Sequence, residues 1–284
     1  MSIAKNLFTD LASRHNSLYR GTGLYANFEE NLRGQIGEVH NCASDSFELA
    51  EVGKIVFPFF EMGNRNSSHL FGLDELIIFS IYYSNRDRYR KVLDLGANIG
   101  LHSLVLKKIG CDVTSYEPDW IHAKQFRNVM TLNSLSYENL HEKAVSIEQG
   151  SAEFVRTLGN TTGSHLIGAK NSYGPVNIFT VETVDILEIA NSDTFDLVKM
   201  DVEGSEAKLI SRLPISAFKD TDFILEIGSE QSAYEIFHSL KGRNIQFYSQ
   251  KNAWLVVDHL DQVPKHHSDG SVFISQSGPP YKMI

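Results

Sequence analysis

Residues 91–100 read KVLDLGANIG, and the fold of the chain can be predicted from this stretch outward. The first five residues form a short, mostly apolar run that predicts a buried strand, and a helix is expected over 99–109. Gly96 permits a sharp turn between the two, and Gly100 lets the helix approach the sheet closely. A strand, a glycine-containing turn and a helix in direct succession are typical of a cofactor-binding α/β unit.

The same alternation continues towards the carboxyl terminus. Helices are expected over 120–132, from the end of the fourth strand to about 213, and over 231–240. Strands are expected at 112–118, 141–146, 195–201 and 222–228, followed by two antiparallel closing strands at 253–258 and 271–275. This order predicts a doubly wound α/β fold, in which helices cover both faces of a mostly parallel sheet. Ligands of such sheets bind at the carboxyl ends of the strands.

Residues 1–65 form a separate block in front of this domain. An amphipathic helix is expected there, because Ile3, Leu7, Phe8 and Leu11 recur at helical spacing. The apolar segment KIVFPFF at 54–60 contains a proline that suits an edge strand or a bend. After a polar loop, another helix is expected over 73–83. We therefore predict an α+β extension at 1–65, serving as a substrate-side cap or a dimer element, and a cofactor-binding domain at 66–284.

Composition excludes several classes of protein. The chain has 284 residues, a net charge of −9 and 42% hydrophobic residues, and an acidic balance disfavours a nucleic-acid partner, which needs clustered Lys and Arg. Cys42 and Cys111 have no spacing typical of disulfides or zinc sites. The amino terminus lacks an apolar signal segment, and the most apolar run, 76–83, is too short to span a bilayer. These features predict a cytoplasmic protein without a transmembrane segment; a homodimer stays open.

An acidic residue follows the second strand of the domain. Glu117 stands in the sequence YEP at 116–118, about 20 residues after the glycine turn, where a carboxylate can accept hydrogen bonds from both ribose hydroxyls of an adenosine. Asn98 replaces the middle glycine of a dinucleotide fingerprint, and the chain lacks the Gly-Lys-Ser/Thr of a phosphate loop. The motif therefore indicates an adenosine cofactor without a pyrophosphate and disfavours the rival interpretation, an NAD-dependent dehydrogenase.

Four motifs together resemble one known family. DLGANIG at 94–100, YEP, DLVKMDVEGSE at 196–206 and FILEIG at 223–228 are similar to the FkbM family of S-adenosylmethionine-dependent methyltransferases, over about residues 91–230. The segment TVETVDIL at 180–187 is a variant of that family's usual helix start. The resemblance implies a class I methyltransferase fold, Rossmann-like and with a seven-stranded sheet, and O-methylation of a hydroxyl on a sugar, nucleotide-sugar or glycan/natural-product acceptor.

The resemblance also assigns residues to the cofactor. It implies that Asp94, Gly96, Asn98 and Gly100 hold the methionine end and that Glu117 holds the ribose. Asn133 and the segment 143–145 are placed to flank the adenine. The full set of expected cofactor contacts comprises Glu75, Asp94, Gly96, Ala97, Asn98, Gly100, His102, Glu117, Pro118, Asn133, Ala144 and Asp201.

Methyl transfer to oxygen needs an aligned hydroxyl and a group that takes its proton. Asp201, at the end of the fourth strand, is our candidate for the base or the hydroxyl anchor, and Glu203 or Glu226 would tune its charge. His165, in a polar loop, is the alternative base. A magnesium ion held by these carboxylates is a further alternative that the spacing does not decide, although we do not favour it. A non-catalytic binding module would not need these acidic strand ends.

Overall fold

The structure is a computed structural model that describes residues 2–3, 6–40 and 45–281 of the chain. Eight α-helices lie in this part: α1 (Leu7–Ser13), α2 (Gly23–His40), α3 (Leu73–Ser84), α4 (Leu101–Lys108), α5 (Trp120–Leu132), α6 (Ile186–Ser192), α7 (Glu206–Arg212) and α8 (Glu230–Leu240). Its strands are β1 (Ser2–Ile3), β2 (Ser46–Leu49), β3 (Gly53–Val56), β4 (Glu61–Met62), β5 (Arg65–Asn66), β6 (Lys91–Leu95), β7 (Asp112–Tyr116), β8 (Leu140–His141), β9 (Ala144–Ser146), β10 (Gly150–Thr157), β11 (His165–Leu166), β12 (Val176–Asp185), β13 (Leu197–Met200), β14 (Asp222–Glu226), β15 (Gln246–Ser249), β16 (Leu255–Val256) and β17 (Ser271–Ser275).

The main sheet confirms the doubly wound α/β class. Its strand order is β16-β15-β17-β14-β13-β6-β7-β8, and the strands from β14 to β8 are parallel. β17 pairs antiparallel with β14 and β15, as expected for closing strands. The sheet has eight strands rather than the expected seven, because the two-residue β16 extends its edge beyond β15.

The segment of the chain between β8 and α6 forms a second, four-stranded sheet in the order β11-β10-β12-β9. Its core is the long antiparallel pair β10 and β12, which the sequence analysis did not predict. The segment expected as the third strand of the main sheet is divided between the two sheets. Leu140 and His141 pair with β7 in the main sheet, whereas β9 pairs with the end of β12. The short edge strand β8 leaves the main sheet after two residues, so the chain is free to find a partner in β12.

The first block contains more helix than expected. The predicted amphipathic helix begins at Leu7, and Ile3 belongs instead to β1, which pairs with β2. The 18-residue helix α2 was not predicted. Leu7, Phe8 and Leu11 are buried, and the Phe8 ring packs against Phe79 of α3. The block therefore shares one hydrophobic core with α3 and the domain that follows.

The structure describes one of the two cysteines and bears on the expectation of no transmembrane segment. Cys42 lies outside the described residues. Cys111 is a buried thiol whose Sγ donates to the carbonyl of Tyr89 at 3.3 Å, and burial raises its pKa to about 11. Within the described ranges, no helix is long and apolar enough to cross a membrane.

Candidate active site

The turn after β6 brings two strand ends into contact. Gly96 has a φ of +74°, and a Cβ at this position would overlap the carbonyl oxygen of Asp201, which follows β13. Only glycine adopts this conformation readily and leaves room for the neighbouring backbone. Gly100, with a φ of +93°, begins α4, and a Cβ there would lie 2.8 Å from the ring of Phe126 in α5. Gly96 therefore allows the turn to contact the residue after β13, and Gly100 allows α4 to pack closely against α5.

Glu117 fixes the next part of this surface. Its carboxylate accepts the N–H of Asn98 and the N–H of Asp119, each at 2.8 Å, and only 5% of the residue is exposed. Burial raises the pKa of Glu117 to about 8, although both backbone hydrogen bonds work in the opposite direction. Each carboxylate oxygen has a further lone pair that can accept a hydrogen bond from a ligand.

A cleft of about 580 Å³ opens beside Glu117, and we call it the Glu117 cleft. Apolar and aromatic side chains of several strands form much of its wall, and the loop between β10 and β11 forms another part. Its lining residues are Gly96, Asn98, Tyr116, Glu117, Pro118, His122, Lys143, Ala144, Val145, Phe154, Thr161, Thr162, Ser164, Leu166, Asp201, Val202, Glu203 and Ser205.

A buried lysine lies beneath the turn. Lys199 Nζ donates to the carbonyl of Gly96 at 3.0 Å and lies 3.3 Å from Asp94 Oδ1 and 4.0 Å from Asp201 Oδ2. Burial alone lowers the pKa of Lys199, but the carboxylates of Asp94 and Asp201 outweigh it and hold this pKa above its usual value. Asp94 is fully buried and also accepts the hydroxyl of Ser103 at 2.6 Å. Asp94 therefore positions Lys199, which in turn holds the carbonyl of Gly96 in the turn.

The loop after β13 is shaped by a buried glutamate. Glu206 accepts the N–H of Val202 at 2.8 Å and that of Gly204 at 2.9 Å. These bonds hold Glu203 and Gly204 at φ values of +58° and +108°. Burial raises the pKa of Glu206 to about 7. The sequence analysis did not single out Glu206, although it closes the motif DLVKMDVEGSE.

A larger cleft of about 2830 Å³, open to solvent, lies on the other side of Asp201, and we call it the Glu226 cleft. The first block, α3, and the ends of β13 and β14 line it. Asn98, Thr162, Asp201 and Glu203 line both clefts, so the two meet at the end of β13.

Ionisable side chains gather at this junction. Glu203 forms an ion pair with Lys170, and His267 Nδ1 lies 3.4 Å from Glu226 Oε1. Burial and the charge of Asp201 raise the pKa of the Glu203 carboxyl. The same two causes raise the pKa of Glu226 to about 8, and the His267 ring works against them. The expected carboxylate group is therefore assembled, and it has two basic partners.

Glu75 of α3 and His102 of α4 contribute a polar pair to the same cleft. His102 Nε2 lies 2.8 Å from Glu75 Oε2, and its Nδ1 lies 3.0 Å from the hydroxyl of Tyr82. Burial alone raises the pKa of Glu75, but His102 outweighs it, so the pKa is lowered. Both residues line the Glu226 cleft, next to the turn that carries Asn98.

Five expected site residues line neither cleft. Asp94, Ala97 and Gly100 lie in the turn or beneath it, and His165 and Asn133 lie elsewhere. His165 is 2% exposed, and its two ring nitrogens are engaged by the carbonyl of Gly163 at 3.0 Å and the hydroxyl of Ser172 at 3.1 Å. Neither nitrogen is left to take a proton from an acceptor. The Asn133 amide is bonded to the backbone N–H and carbonyl of Val56, and Asn133 lines neither cleft. It ties the end of α5 to β3, because the helix end is covered by the first block.

Of three further residues expected to contact the cofactor, two line a cleft. Pro118 and Ala144 line the Glu117 cleft, whereas Ala97 is buried in the turn behind it. Lys199 and His267 were not predicted as site residues. Lys199 stands inside the recognised motif, so its position carried a signal. His267 stands in the polar sequence KHHSDG, outside the recognised motifs.

Among the described residues, no group of three or more His, Cys, Asp or Glu side chains has an arrangement that could hold a metal ion. The carboxylates at the junction interact instead with Lys170, Lys199 and His267. The structure thus gives the alternative of a magnesium site no support from side-chain geometry.

Comparison with known proteins agrees with the motifs. Residues 94–248, more than half of the chain, match the family described as the methyltransferase FkbM domain. Curated protein sequences give no match.

Solved structures of methyltransferases are similar at low identity. SMU.776, solved with SAH, is 10% identical, with 88% of this chain and 66% of that chain covered and a TM-score of 0.42. The ribosomal protein L11 methylase of Lactobacillus delbrueckii subsp. bulgaricus is 15% identical, with 59% and 69% covered and a TM-score of 0.35. The bifunctional kinase-methyltransferase WbdD is 16% identical, with 72% and 39% covered and a TM-score of 0.40. The chain thus spans between 39 and 69% of the length of these structures.

Proposed function

The chain belongs to the methyltransferase FkbM domain family, and on that premise we propose that it transfers a methyl group from S-adenosylmethionine to a hydroxyl oxygen of a sugar-type acceptor. One observation carries the proposal: the Glu117 cleft and the Glu226 cleft meet at Asp201. Two ligands bound in these clefts would face each other across the end of β13. The family assignment also sets aside the rival NAD-dependent dehydrogenase.

The residues of the Glu117 cleft fit the cofactor. Glu117 presents free lone pairs to the cleft and can accept hydrogen bonds from both ribose hydroxyls. Tyr116, Val145 and Phe154 offer an apolar slot for the adenine. Asn98 and the turn at Gly96 would meet the methionine end. When bound, the cofactor supplies an electrophilic methyl group on a sulfonium.

Asp201 is placed to orient the acceptor hydroxyl. Its carboxylate lies at the meeting point of the clefts and is held by Lys199 at 4.0 Å. A carboxylate oxygen that accepts the hydrogen of a neighbouring hydroxyl anchors the sugar, and transfer needs the reacting oxygen within about 3–3.5 Å of the methyl carbon. We therefore give Asp201 the anchoring role and assign Glu203 and Glu226 to the polar wall around it.

The Glu226 cleft suits a polyhydroxyl acceptor. Its wall combines carboxylates, Asn and Ser side chains with Arg65 and Lys170, so it offers both hydrogen-bond donors and acceptors. A sugar presents hydroxyls that can use both kinds of partner. The first block supplies Arg20, Leu32, Arg33, Phe59 and Arg65 to this wall, which supports its assignment as an acceptor-side cap.

Methyl-labelled S-adenosylmethionine tests this proposal. The protein is incubated with free sugars, nucleotide-sugars and oligosaccharides, and label transfer and S-adenosylhomocysteine release are measured. We expect at least one hydroxyl acceptor to gain a single methyl, which NMR places on oxygen. The Asp201→Asn protein is the matched control and should transfer little label. Label found on nitrogen or carbon, or no transfer to any hydroxyl, would refute the proposed O-methylation.

A further inference from the structure

We propose that His267, oriented by Glu226, is the catalytic residue that accepts the proton of the acceptor hydroxyl; this inference rests on the proposed methyl transfer. His267 lies outside residues 94–248, the part of the chain that matches the family. Its assignment therefore comes from its position in this structure.

The fold brings His267 to the cleft from a distant part of the chain. His267 begins a short 3-10 turn, His267–Asp269, directly before β17. Because β17 pairs with β14, with Ser271 opposite Glu226, the turn lies beside the end of β14. The N–H of Asp269 donates to the carbonyl of His266 at 2.8 Å, and the Asp269 carboxylate accepts the N–H of Lys265 at 3.0 Å. These bonds fix the backbone that carries the ring.

The ring itself is held between a carboxylate and a glycine. Nδ1 of His267 lies 3.4 Å from Oε1 of Glu226. A Cβ at Gly228 would lie 2.5 Å from Cε1 of the ring, so the absence of a side chain there allows the ring to pack on the backbone. A histidine whose Nδ1 faces a carboxylate keeps the tautomer in which Nε2 can accept a proton.

The second ring nitrogen is available in the Glu226 cleft. No residue in the described part of the chain hydrogen-bonds Nε2 of His267, and 48% of the side chain is exposed. The ring lines the same cleft as Asp201, Glu203 and Glu226. Asp201, which faces the Lys199 ammonium, can accept a neighbouring hydroxyl of the acceptor and so leave the hydrogen of the reacting hydroxyl to His267.

The charges around His267 favour the protonated ring. The Glu226 carboxylate raises the pKa of His267 and the charge of Glu203 adds to this effect, whereas burial and the charge of Lys170 lower that pKa. Burial holds the pKa of Glu226 at about 8. The two groups interact, so the proton of the acceptor is taken up by the pair rather than by the ring alone.

Methyl transfer and proton transfer occur together in the proposed step. The O–H bond of the acceptor breaks, and its proton forms a bond with Nε2 of His267. The oxygen forms a bond with the methyl carbon, and the electron pair of the breaking carbon–sulfur bond stays on sulfur as a neutral thioether. The positive charge of the sulfonium is thereby transferred to the imidazolium, which Glu226 stabilises.

The test uses the full-length protein, S-adenosylmethionine and a hydroxyl acceptor identified as above. We expect His267→Gln to lower kcat by about 10²–10⁴-fold, while the Kd of S-adenosylhomocysteine changes by less than two-fold. His267→Gly should regain activity with added imidazole, which a merely structural role would not allow. His266→Gln is the matched control, because His266 is the adjacent histidine and does not line the cleft; it should keep wild-type kcat.

The pH profile of kcat/KM tests the orienting role of Glu226. The Glu226 carboxylate raises the pKa of His267, so Glu226→Gln should move the acid limb to lower pH and reduce the maximum rate. A His267→Gln protein within three-fold of wild type, with an unchanged pH profile, would overturn the inference and leave the proposed methyl transfer standing. If the wild-type protein methylates no hydroxyl, both the proposed function and this inference fail.

Discussion

The Glu117 cleft and the Glu226 cleft share four residues and differ in how the chain builds them. The first is formed by residues 96–205, in the order of consecutive strands, and lies entirely within the family match. The second collects side chains from Arg20 to Ser271, including the first block and the turn before β17. The proposed cofactor site is thus formed within one continuous part of the chain, whereas the proposed acceptor site collects residues that are far apart in the sequence.

This difference has a functional consequence. The Glu117 cleft is lined by strands of both sheets, the glycine turn and the loop between β10 and β11, all within the family match. A cleft whose wall comes from a separate block and a carboxyl-terminal turn can change its lining without disturbing the sheet. We infer that cofactor binding and acceptor choice depend on separate sets of residues, which meet only at the end of β13.

Asp201 belongs to both clefts, and its substitution should slow catalysis without weakening cofactor binding. Asp201→Asn keeps the shape of the side chain but removes the charged group that anchors the acceptor. We expect kcat to fall about 10²-fold, as follows when a reacting group is misplaced, with the Kd of S-adenosylhomocysteine nearly unchanged. Single-turnover kinetics and calorimetry measure the two quantities. A variant within three-fold of wild type would remove Asp201 from the chemical step, and EDTA sensitivity of the wild-type protein would point to a metal instead.

Gly96 joins the two strand ends, and its substitution should disturb the Glu117 cleft and the stability of the fold. Gly96→Ala adds a Cβ that overlaps the carbonyl of Asp201 at a positive φ. The matched control is Gly21→Ala, at a φ of +91° with no atom within 4 Å of the added Cβ. Both variants pay about 1–2 kcal/mol for the left-handed backbone.

Only Gly96→Ala carries the additional cost of overlap, about 1–3 kcal/mol. Urea unfolding measures the difference in the free energy of unfolding between the two variants. Equal losses of stability would mean that the turn and Asp201 can separate without cost, which would contradict the close contact seen at the end of β13.

The cofactor side was predictable because its signals are local. The turn at 96–100 and the helix α5 were expected from apolar runs, glycines and Glu117, and the structure places α5 at the predicted bounds. The class I methyltransferase fold and the cofactor, S-adenosylmethionine, are confirmed by the family match. The roles of individual site residues remain predictions.

The features that were not predicted from the sequence depend on contacts between residues far apart in the chain. In α2 the buried side chains Tyr25 and Leu32 are separated by mostly polar residues, so the helix lacks a clear apolar stripe. The strand β12 starts with mostly exposed residues, and its residues pair with residues of β10 that lie 19 to 33 positions earlier. His267 meets Glu226 only because β17 returns beside β14.

The separation of the two clefts is tested most directly by the Kd of S-adenosylhomocysteine for two glutamate variants, measured by calorimetry. Glu117→Ala removes acceptors of charge-assisted hydrogen bonds worth about 1.5–3 kcal/mol each, so the Kd should rise at least about ten-fold. Glu226→Ala removes a carboxylate of the other cleft, so the Kd should stay within two-fold of wild type. An unchanged Kd for Glu117→Ala, or equal losses of affinity in both variants, would contradict the assignment of the cofactor to the Glu117 cleft.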